Sequence, residues 1–157
     1  MVDKFTKWIE AKPVKTAKSG LVIDFISGVI HHYGIPHSII TDNGSNFTVD
    51  EVKLWCSNMG IKLDYASVYH PQTNDQVERE NGLIISGIKP RLVWSLKESN
   101  THWVEELDSV LWGLRTMLNR TTGYTPFFMV YGAETVLPYE IIHDSPRVHM
   151  YEEREAE

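Results

Sequence analysis

The sequence predicts an α/β domain with a partly parallel sheet, and three observations support this fold class. Short apolar runs of strand length alternate with longer stretches whose apolar residues recur at helical spacing. Glycine and proline residues separate these segments, as expected where strands and helices end. At 157 residues and 42% hydrophobic content, the chain is long enough to bury one core.

The first strand and the first helix are predicted between residues 8 and 33. Trp8–Lys12 has strand character and is ended by Pro13, which has no amide hydrogen for a sheet. Thr16 is predicted to cap the helix, because its hydroxyl can accept a hydrogen bond from a free amide of the first turn. The helix continues on periodic apolar residues to Tyr33, and the segment Gly34–Pro36 ends it.

A buried strand followed by a tight turn is predicted next. Ser38–Thr41 is a short apolar run between turn residues, and Asp42–Gly44 has the composition of the turn that leaves it. Thr48 and Glu51 have the spacing of a capping box for the following helix, which Gly60 ends.

The second half of the chain is predicted to contain one more strand and several helices. Ile61–Tyr65 alternates as a strand, residues 67–73 form a polar loop, and a helix over 74–89 is broken or kinked by Pro90. Thr101 caps a long helix. The predicted buried face of that helix consists of Trp103, Leu107, Val110, Leu111, Leu114, Met117 and Leu118.

A short apolar helical segment over residues 127–131 follows a turn at 122–126. No internal repeat or low-complexity linker interrupts the chain, so one domain is predicted over residues 1–145. Residues 146–157 are predicted to be a charged tail that leads toward a downstream domain.

Composition restricts the partners and the cellular compartment. The net charge of −6 opposes non-specific DNA binding, so a DNA-processing function requires that basic residues be concentrated locally. One cysteine, Cys56, excludes an internal disulfide and is expected to be a core residue. No apolar run has the length of a membrane helix and no signal peptide is recognisable, so an intracellular protein without membrane contact is expected.

Two carboxylates are the candidate catalytic and metal-binding residues. Asp42 is predicted at the end of a buried strand, Glu78 in the first turns of a helix, and 35 residues lie between them. Phosphodiester chemistry uses two divalent ions held by hard oxygen ligands, which Asp and Glu supply. Taken singly, an Asp in a turn or a Glu near a helix start is more often structural. Their joint context favours the functional interpretation.

That context resembles the integrases of gypsy-type LTR retrotransposons, in particular the plant members. Asp42 and Glu78 resemble the last two carboxylates of the D,D,E set of these enzymes. The resemblance is carried by the segments around these residues, by the start of the chain and by a downstream region: Thr41–Phe47, Tyr69–Asn81, Val2–Ala11, Trp103–Leu107, Val110–Trp112, Thr122–Phe127 and Val130–Gly132.

The resemblance implies a ribonuclease-H-like mixed sheet flanked by helices. It also implies that the strand bearing the first catalytic Asp lies before residue 1. The 157 residues are therefore expected to lack the first, central strand and most of the second. Marginal stability is expected in consequence, because an unpaired buried edge is costly.

The implied activity is metal-dependent 3′-end processing and strand transfer of element DNA into target DNA, with two Mg²⁺ or Mn²⁺ ions. A homo-oligomer and a nuclear site of integration, with cytoplasmic particles as an earlier location, are further implications. With the first Asp absent, this copy is expected to be inactive alone. Two alternatives remain open: a non-catalytic module that binds nucleic acid or a protein, and a product without function.

Six further residues are candidate DNA contacts. Arg79, Lys89 and Arg91 supply positive charge, although each charge alone is more often a solvated helix residue. The polar candidates from the two motif segments are Asn43, Gln72 and Asn74. The chain departs from the family at Asp75, which replaces a glycine of the loop before Glu78.

Overall fold

The computed structural model describes residues 1–66, 79, 81–89, 102–143 and 148. They belong to two compact units. The first comprises Met1–Val2 and Ile9–Leu111, and the second comprises Asp3–Trp8 and Trp112–Glu157. The prediction of one domain over 1–145 and a tail over 146–157 stays a prediction.

The first helix of the first unit, α1, spans Ser19–Tyr33. The prediction that Thr16 caps it is wrong, because the chain is still extended at Lys18, which occupies the N-cap without a side-chain hydrogen bond. The predicted C-terminal end is confirmed. Gly34 has a φ of 86°, which suits glycine, and its N–H donates to the Ile30 carbonyl.

Two short parallel strands form the sheet of the first unit. They are β1, Ser38–Thr41, and β2, Lys62–Tyr65, and Ile39 lies opposite Leu63 in their register. Parallel neighbours require a crossover connection. Here it contains two helices, α2 over Ser45–Thr48 and α3 over Asp50–Asn58.

The predicted capping box of α3 is wrong. Thr48 is the last residue of α2, where its hydroxyl donates to the Ser45 carbonyl, and Val49 takes the N-cap position of α3. Glu51 instead accepts a 2.6 Å hydrogen bond from the Ser19 hydroxyl at the start of α1. A tertiary hydrogen bond between two helices has therefore replaced the local one.

The predicted strand Trp8–Lys12 is reduced to a single antiparallel bridge between Val2 and Ile9. The backbone N–H of Glu10 also donates to the Met1 carbonyl. Within the described ranges β1 pairs only with β2, so residues 8–12 have no longer strand beside them to extend this bridge.

The core of the first unit lies between α1, α3 and the sheet. Its buried members are Ile26, Ile39, Val52, Cys56 and Ile61. The prediction that Cys56 is a core residue is confirmed, since its side chain is fully buried. Burial raises the pKa of the Cys56 thiol, which therefore stays protonated at neutral pH.

A helix pair completes the described part of the first unit. The fourth helix, α4, is described over residues 81–89, and α5 spans His102–Thr116, with residues 102–111 in this unit. The predicted buried face of α5 is only partly right. Leu107, Val110 and Leu111 are buried, whereas Trp103, Met117 and Leu118 are exposed. The last two lie beyond the end of the helix.

The second unit contains two short helices, α6 over Pro126–Tyr131 and α7 over Pro138–Ile142. α6 confirms the helical segment predicted at 127–131. Thr125 caps it by accepting a hydrogen bond from the Phe128 amide. The guanidinium of Arg115 lies 4.6 Å from the ring centroid of Trp8, within cation–π range.

No helix among the described residues combines the length and the apolar character needed to cross a membrane.

Two glycines of α4 allow a matched test of helix packing. A methyl group at Gly87 would lie 2.8 Å from a methyl of Val110, whereas one at Gly82 would meet nothing within 4 Å. Both changes to alanine gain the same helix propensity, about 1 kcal/mol. We expect Gly82→Ala to raise the free energy of unfolding by up to that amount. Gly87→Ala should lie about 1–3 kcal/mol below Gly82→Ala, because it overpacks the helix contact.

Urea denaturation of the two variants measures this difference directly. Equal stabilities for the two variants would show that α4 and α5 are not in close contact at Gly87.

Candidate active site

Asp42 is the first residue after β1, at the edge of the sheet where parallel strands place their carboxyl ends. The strand ladder is extended past β2 by a 2.7 Å hydrogen bond from the Ala66 amide to the Thr41 carbonyl. The backbone that leads into Asp42 is therefore held by the neighbouring strand, while the side chain of Asp42 is exposed. This agrees with the predicted position of Asp42.

A tight turn orients the Asp42 carboxylate. Its Oδ1 accepts a hydrogen bond from the Gly44 amide at 3.1 Å. The φ of Gly44 is −56°, so glycine is not required there for backbone conformation. The absence of a side chain does leave space for the carboxylate, because a Cβ on Gly44 would lie 2.9 Å from Asp42 Oδ1 and would force it to shift.

The turn is also attached to β2. The side-chain amide nitrogen of Asn43 donates to the Ala66 carbonyl at 3.5 Å, and the Tyr65 hydroxyl donates to the Phe47 carbonyl at 3.1 Å. Sequence reasoning missed Tyr65, because a tyrosine in a short alternating strand carries no signal for a hydrogen bond to a distant turn. The candidate DNA contact Asn43 is exposed beside Asp42.

The residue before Asp42 carries a buried hydroxyl without a partner. Thr41 is 9% exposed, and among the described residues no group donates to or accepts from its Oγ1. Leaving such a group unsatisfied costs about 1–3 kcal/mol. Sequence analysis did not anticipate it, because threonine is a normal strand residue.

Most of the other candidate site residues lie outside the described residues: Glu78, Gln72, Asn74 and Arg91. The assignment of Asp42 and Glu78 to one metal site therefore stays a prediction. Arg79 and Lys89 are described, and both are exposed helical residues.

Asp42 is the candidate metal ligand that lies among the described residues. No group of three His, Cys, Asp or Glu side chains close enough to hold a metal ion occurs among those residues. The Asp42 carboxylate is nevertheless suitable as a ligand for a hard divalent cation. A carboxylate is a hard oxygen ligand, and one oxygen of Asp42 is already fixed by the Gly44 amide.

Comparison with known proteins places this geometry in a family context. Residues 1–71 match the family described as Integrase core domain. The matched range includes Asp42 and Asn43 and ends before Gln72 and Glu78.

Viral polyproteins are similar over most of the chain. The Gag-Pol polyprotein of avian reticuloendotheliosis virus is 32% identical over 133 residues, which are 84% of this chain and 11% of the polyprotein. The Pro-Pol polyprotein of simian foamy virus type 3 is 27% identical over 139 residues, 88% of this chain and 12% of the polyprotein. The chain thus spans roughly a tenth of the length of these relatives.

Solved structures give the same fold. The HTLV-2 integrase catalytic core domain, solved in complex with magnesium in a trimeric form, matches with a TM-score of 0.69 and 24% identity. That match covers 83% of this chain and 81% of the other. A simian T-cell lymphotropic virus intasome in complex with a PP2A regulatory subunit matches with a TM-score of 0.72 and 22% identity, covering 87% of this chain and 48% of the other.

These matches confirm the predicted fold class, because the chain has the ribonuclease-H-like fold of the integrase catalytic cores that it matches. In the described residues the sheet consists of the two parallel strands β1 and β2, and Asp42 lies at the edge formed by their carboxyl ends.

Two buried threonines allow a test of the unsatisfied hydroxyl. We expect Thr41→Val to raise the free energy of unfolding by about 1 kcal/mol, because it removes a buried polar group that has no partner. Thr125 is the matched control. It is equally buried, but its hydroxyl donates to Glu134 Oε2 and accepts from the Phe128 amide. Thr125→Val should therefore lower stability by about 1–2 kcal/mol.

Thermal and urea melts of both variants provide the measurement. A loss of stability in Thr41→Val would mean that the Thr41 hydroxyl has a partner and that the site before Asp42 is fully hydrogen-bonded.

Proposed function

We propose that this chain is part of the catalytic core of a DNA integrase from a gypsy-type LTR retrotransposon. One observation carries the proposal: an exposed carboxylate, Asp42, stands at the carboxyl edge of the sheet within the segment that matches the integrase core family. The motif segments quoted from the sequence support the retrotransposon subfamily. The similarity to viral polyproteins supports an origin in a retroelement.

Asp42 and Glu78 are the proposed metal ligands and catalytic carboxylates. Bound Mg²⁺ or Mn²⁺, two ions in the complete site, supplies an activated nucleophile and stabilises the leaving oxygen of a phosphodiester. The contribution of this chain is to hold ligands in place. The turn from Asp42 to Gly44 fixes one carboxylate oxygen by a backbone hydrogen bond, so less freedom is lost when the carboxylate coordinates.

The substrates are proposed to be element DNA ends and target DNA. Asn43, Gln72, Asn74, Arg79, Lys89 and Arg91 are the proposed contacts to them. A homo-oligomer is proposed as the working form, in line with the trimeric and dimeric forms of the HTLV-2 catalytic core. The nucleus is the proposed site of action.

A second candidate is a non-catalytic module that keeps the fold and binds nucleic acid or a protein. It is favoured by the net charge of −6, which opposes the binding of DNA substrates that strand transfer requires. Two carboxylates hold two ions poorly, and the first Asp is expected to be a shared ligand.

The two candidates lead to a joint prediction on activity and metal binding. The 157-residue polypeptide should not transfer DNA strands at a measurable rate in Mg²⁺, because its ligand set is incomplete. It should still bind Mn²⁺ weakly through Asp42, and paramagnetic broadening of the amide signals of residues 41–44 in NMR spectra measures that binding.

Asp42→Asn should abolish this broadening. Asp64→Asn serves as its control, because Asp64 lies on the neighbouring strand and is paired with Lys62. Robust strand transfer by the wild-type polypeptide that is lost in Asp42→Asn would refute the predicted inactivity. Broadening that is unaffected by Asp42→Asn would remove Asp42 from the metal site and with it the proposed function.

Gly44 yields a separate prediction. Gly44→Ala should weaken Mn²⁺ binding at Asp42 by several-fold to about tenfold, because the added methyl displaces the carboxylate from its hydrogen bond. Gly28→Ala on α1, where a methyl meets nothing within 4 Å, should leave Mn²⁺ binding unchanged. Equal Mn²⁺ affinity in both variants would show that the turn does not position the ligand.

A further inference from the structure

A strongly basic segment enters α1 in an otherwise acidic chain. Residues 11–23 contain three of the 15 basic residues, Lys12, Lys15 and Lys18, and none of the 21 acidic residues. All three lysines are exposed and all belong to the first unit. The segment supplies the local positive charge that a chain of net charge −6 needs in order to bind a polyanion.

The charges of these lysines are not neutralised within the described part of the molecule. Ion pairs in that part join Lys53 to Asp50 and Lys62 to Asp64. Lys12, Lys15 and Lys18 take part in neither pair. The first turn of α1, which follows these lysines, also contains no acidic residue.

Folding stability does not explain this arrangement. The N-terminal end of a helix carries partial positive charge, so lysines at its entrance are unfavourable and acidic residues would be favoured. Lys18 occupies the N-cap of α1 and makes no side-chain cap. An acidic group does lie at the start of the helix, because Glu51 accepts a hydrogen bond from Ser19 there.

The spacing of the lysines suits contacts to several phosphates. Residues 12–18 are not helical and bend at Lys15 and Thr16, so lysines three residues apart are separated by less than the about 10 Å of an extended chain. A DNA duplex presents a phosphate about every 3.4 Å of axis on each strand. Three lysines at this spacing can therefore contact separate phosphates of one strand. A membrane surface fits less well, because the segment forms no amphipathic helix.

We infer that Lys12, Lys15 and Lys18 form a docking surface for the phosphate backbone of duplex DNA. The inference deepens the proposed function by adding a DNA-binding surface apart from Asp42. This surface needs no metal ion and reads no sequence. Glu51, which is hydrogen-bonded to the residue after Lys18, brings a negative charge to this surface and should limit the affinity that the lysines provide.

The test measures binding of the full 157-residue chain to a fluorescent random-sequence duplex in EDTA, at several salt concentrations. We expect Lys12→Gln/Lys15→Gln/Lys18→Gln to reduce the slope of log K against log salt by about 2–3, as three lost phosphate contacts require. Affinity at low salt should fall at least about tenfold. The ion-paired Lys53→Gln/Lys62→Gln variant is the control and should bind like the wild type within about threefold.

A variant that removes a negative charge near the lysines gives a second test, in which DNA binding should become stronger. Glu51→Gln keeps an acceptor for Ser19 and should strengthen DNA binding several-fold, whereas Asp108→Asn, the same charge change at an exposed position on α5, should not. The triple variant should also melt at or above the wild-type temperature.

Two outcomes would overturn the inference. They are a triple variant that binds DNA like the wild type, whatever its melting temperature, and tighter lysine-dependent binding to phosphatidylserine vesicles than to DNA. Because EDTA removes the metal ions, failure here leaves the proposal for Asp42 standing. Failure of the metal prediction likewise leaves this surface standing.

Discussion

The parallel pairing of β1 with β2 is the constraint on which the rest of the first unit depends. Two parallel strands cannot be joined by a tight turn, so the chain must cross over the sheet between them. That crossover contains α2 and α3, and α3 supplies Val52 and Cys56 to the core beneath the strands. The same topology brings the carboxyl ends of both strands to one edge, where Asp42 and Ala66 lie.

The polar groups at this edge differ in whether they have hydrogen-bond partners. The groups that fix the turn are satisfied: the Asp42 carboxylate, the Asn43 amide and the Tyr65 hydroxyl all have backbone partners. The hydroxyl of Thr41, one residue earlier on the buried side of the strand, has none in the described structure. Stability at this edge is therefore lower than an apolar strand end would give, a pattern that is common where an exposed functional side chain must be presented.

Sequence reasoning located the elements whose signals are local. The β1 strand, the turn at Asp42 and the end of α1 at Gly34 follow from apolar runs and turn residues, and the structure confirms them. The helix starts were harder. Thr16 and the Thr48–Glu51 pair have good capping chemistry, but Glu51 is hydrogen-bonded to Ser19, a residue 32 positions away that no local pattern reveals. The strand at Trp8–Lys12 failed because a strand requires a partner, and a sequence window does not contain one.

The complete burial of Cys56 makes the reactivity of its thiol a measure of how often the first unit opens. It is the only thiol in the chain, and it lies in the core of the first unit with its pKa raised by burial. A thiol reagent can modify it only when α1, α3 and the sheet separate, so the labelling rate reports how often that unit opens. The indole rings of Trp8 and Trp112 belong to the second unit, whereas Trp55 and Trp103 belong to the first. Thiol labelling and the fluorescence of a variant that keeps only Trp8 and Trp112 would therefore show whether the two units open as one cooperative body or independently.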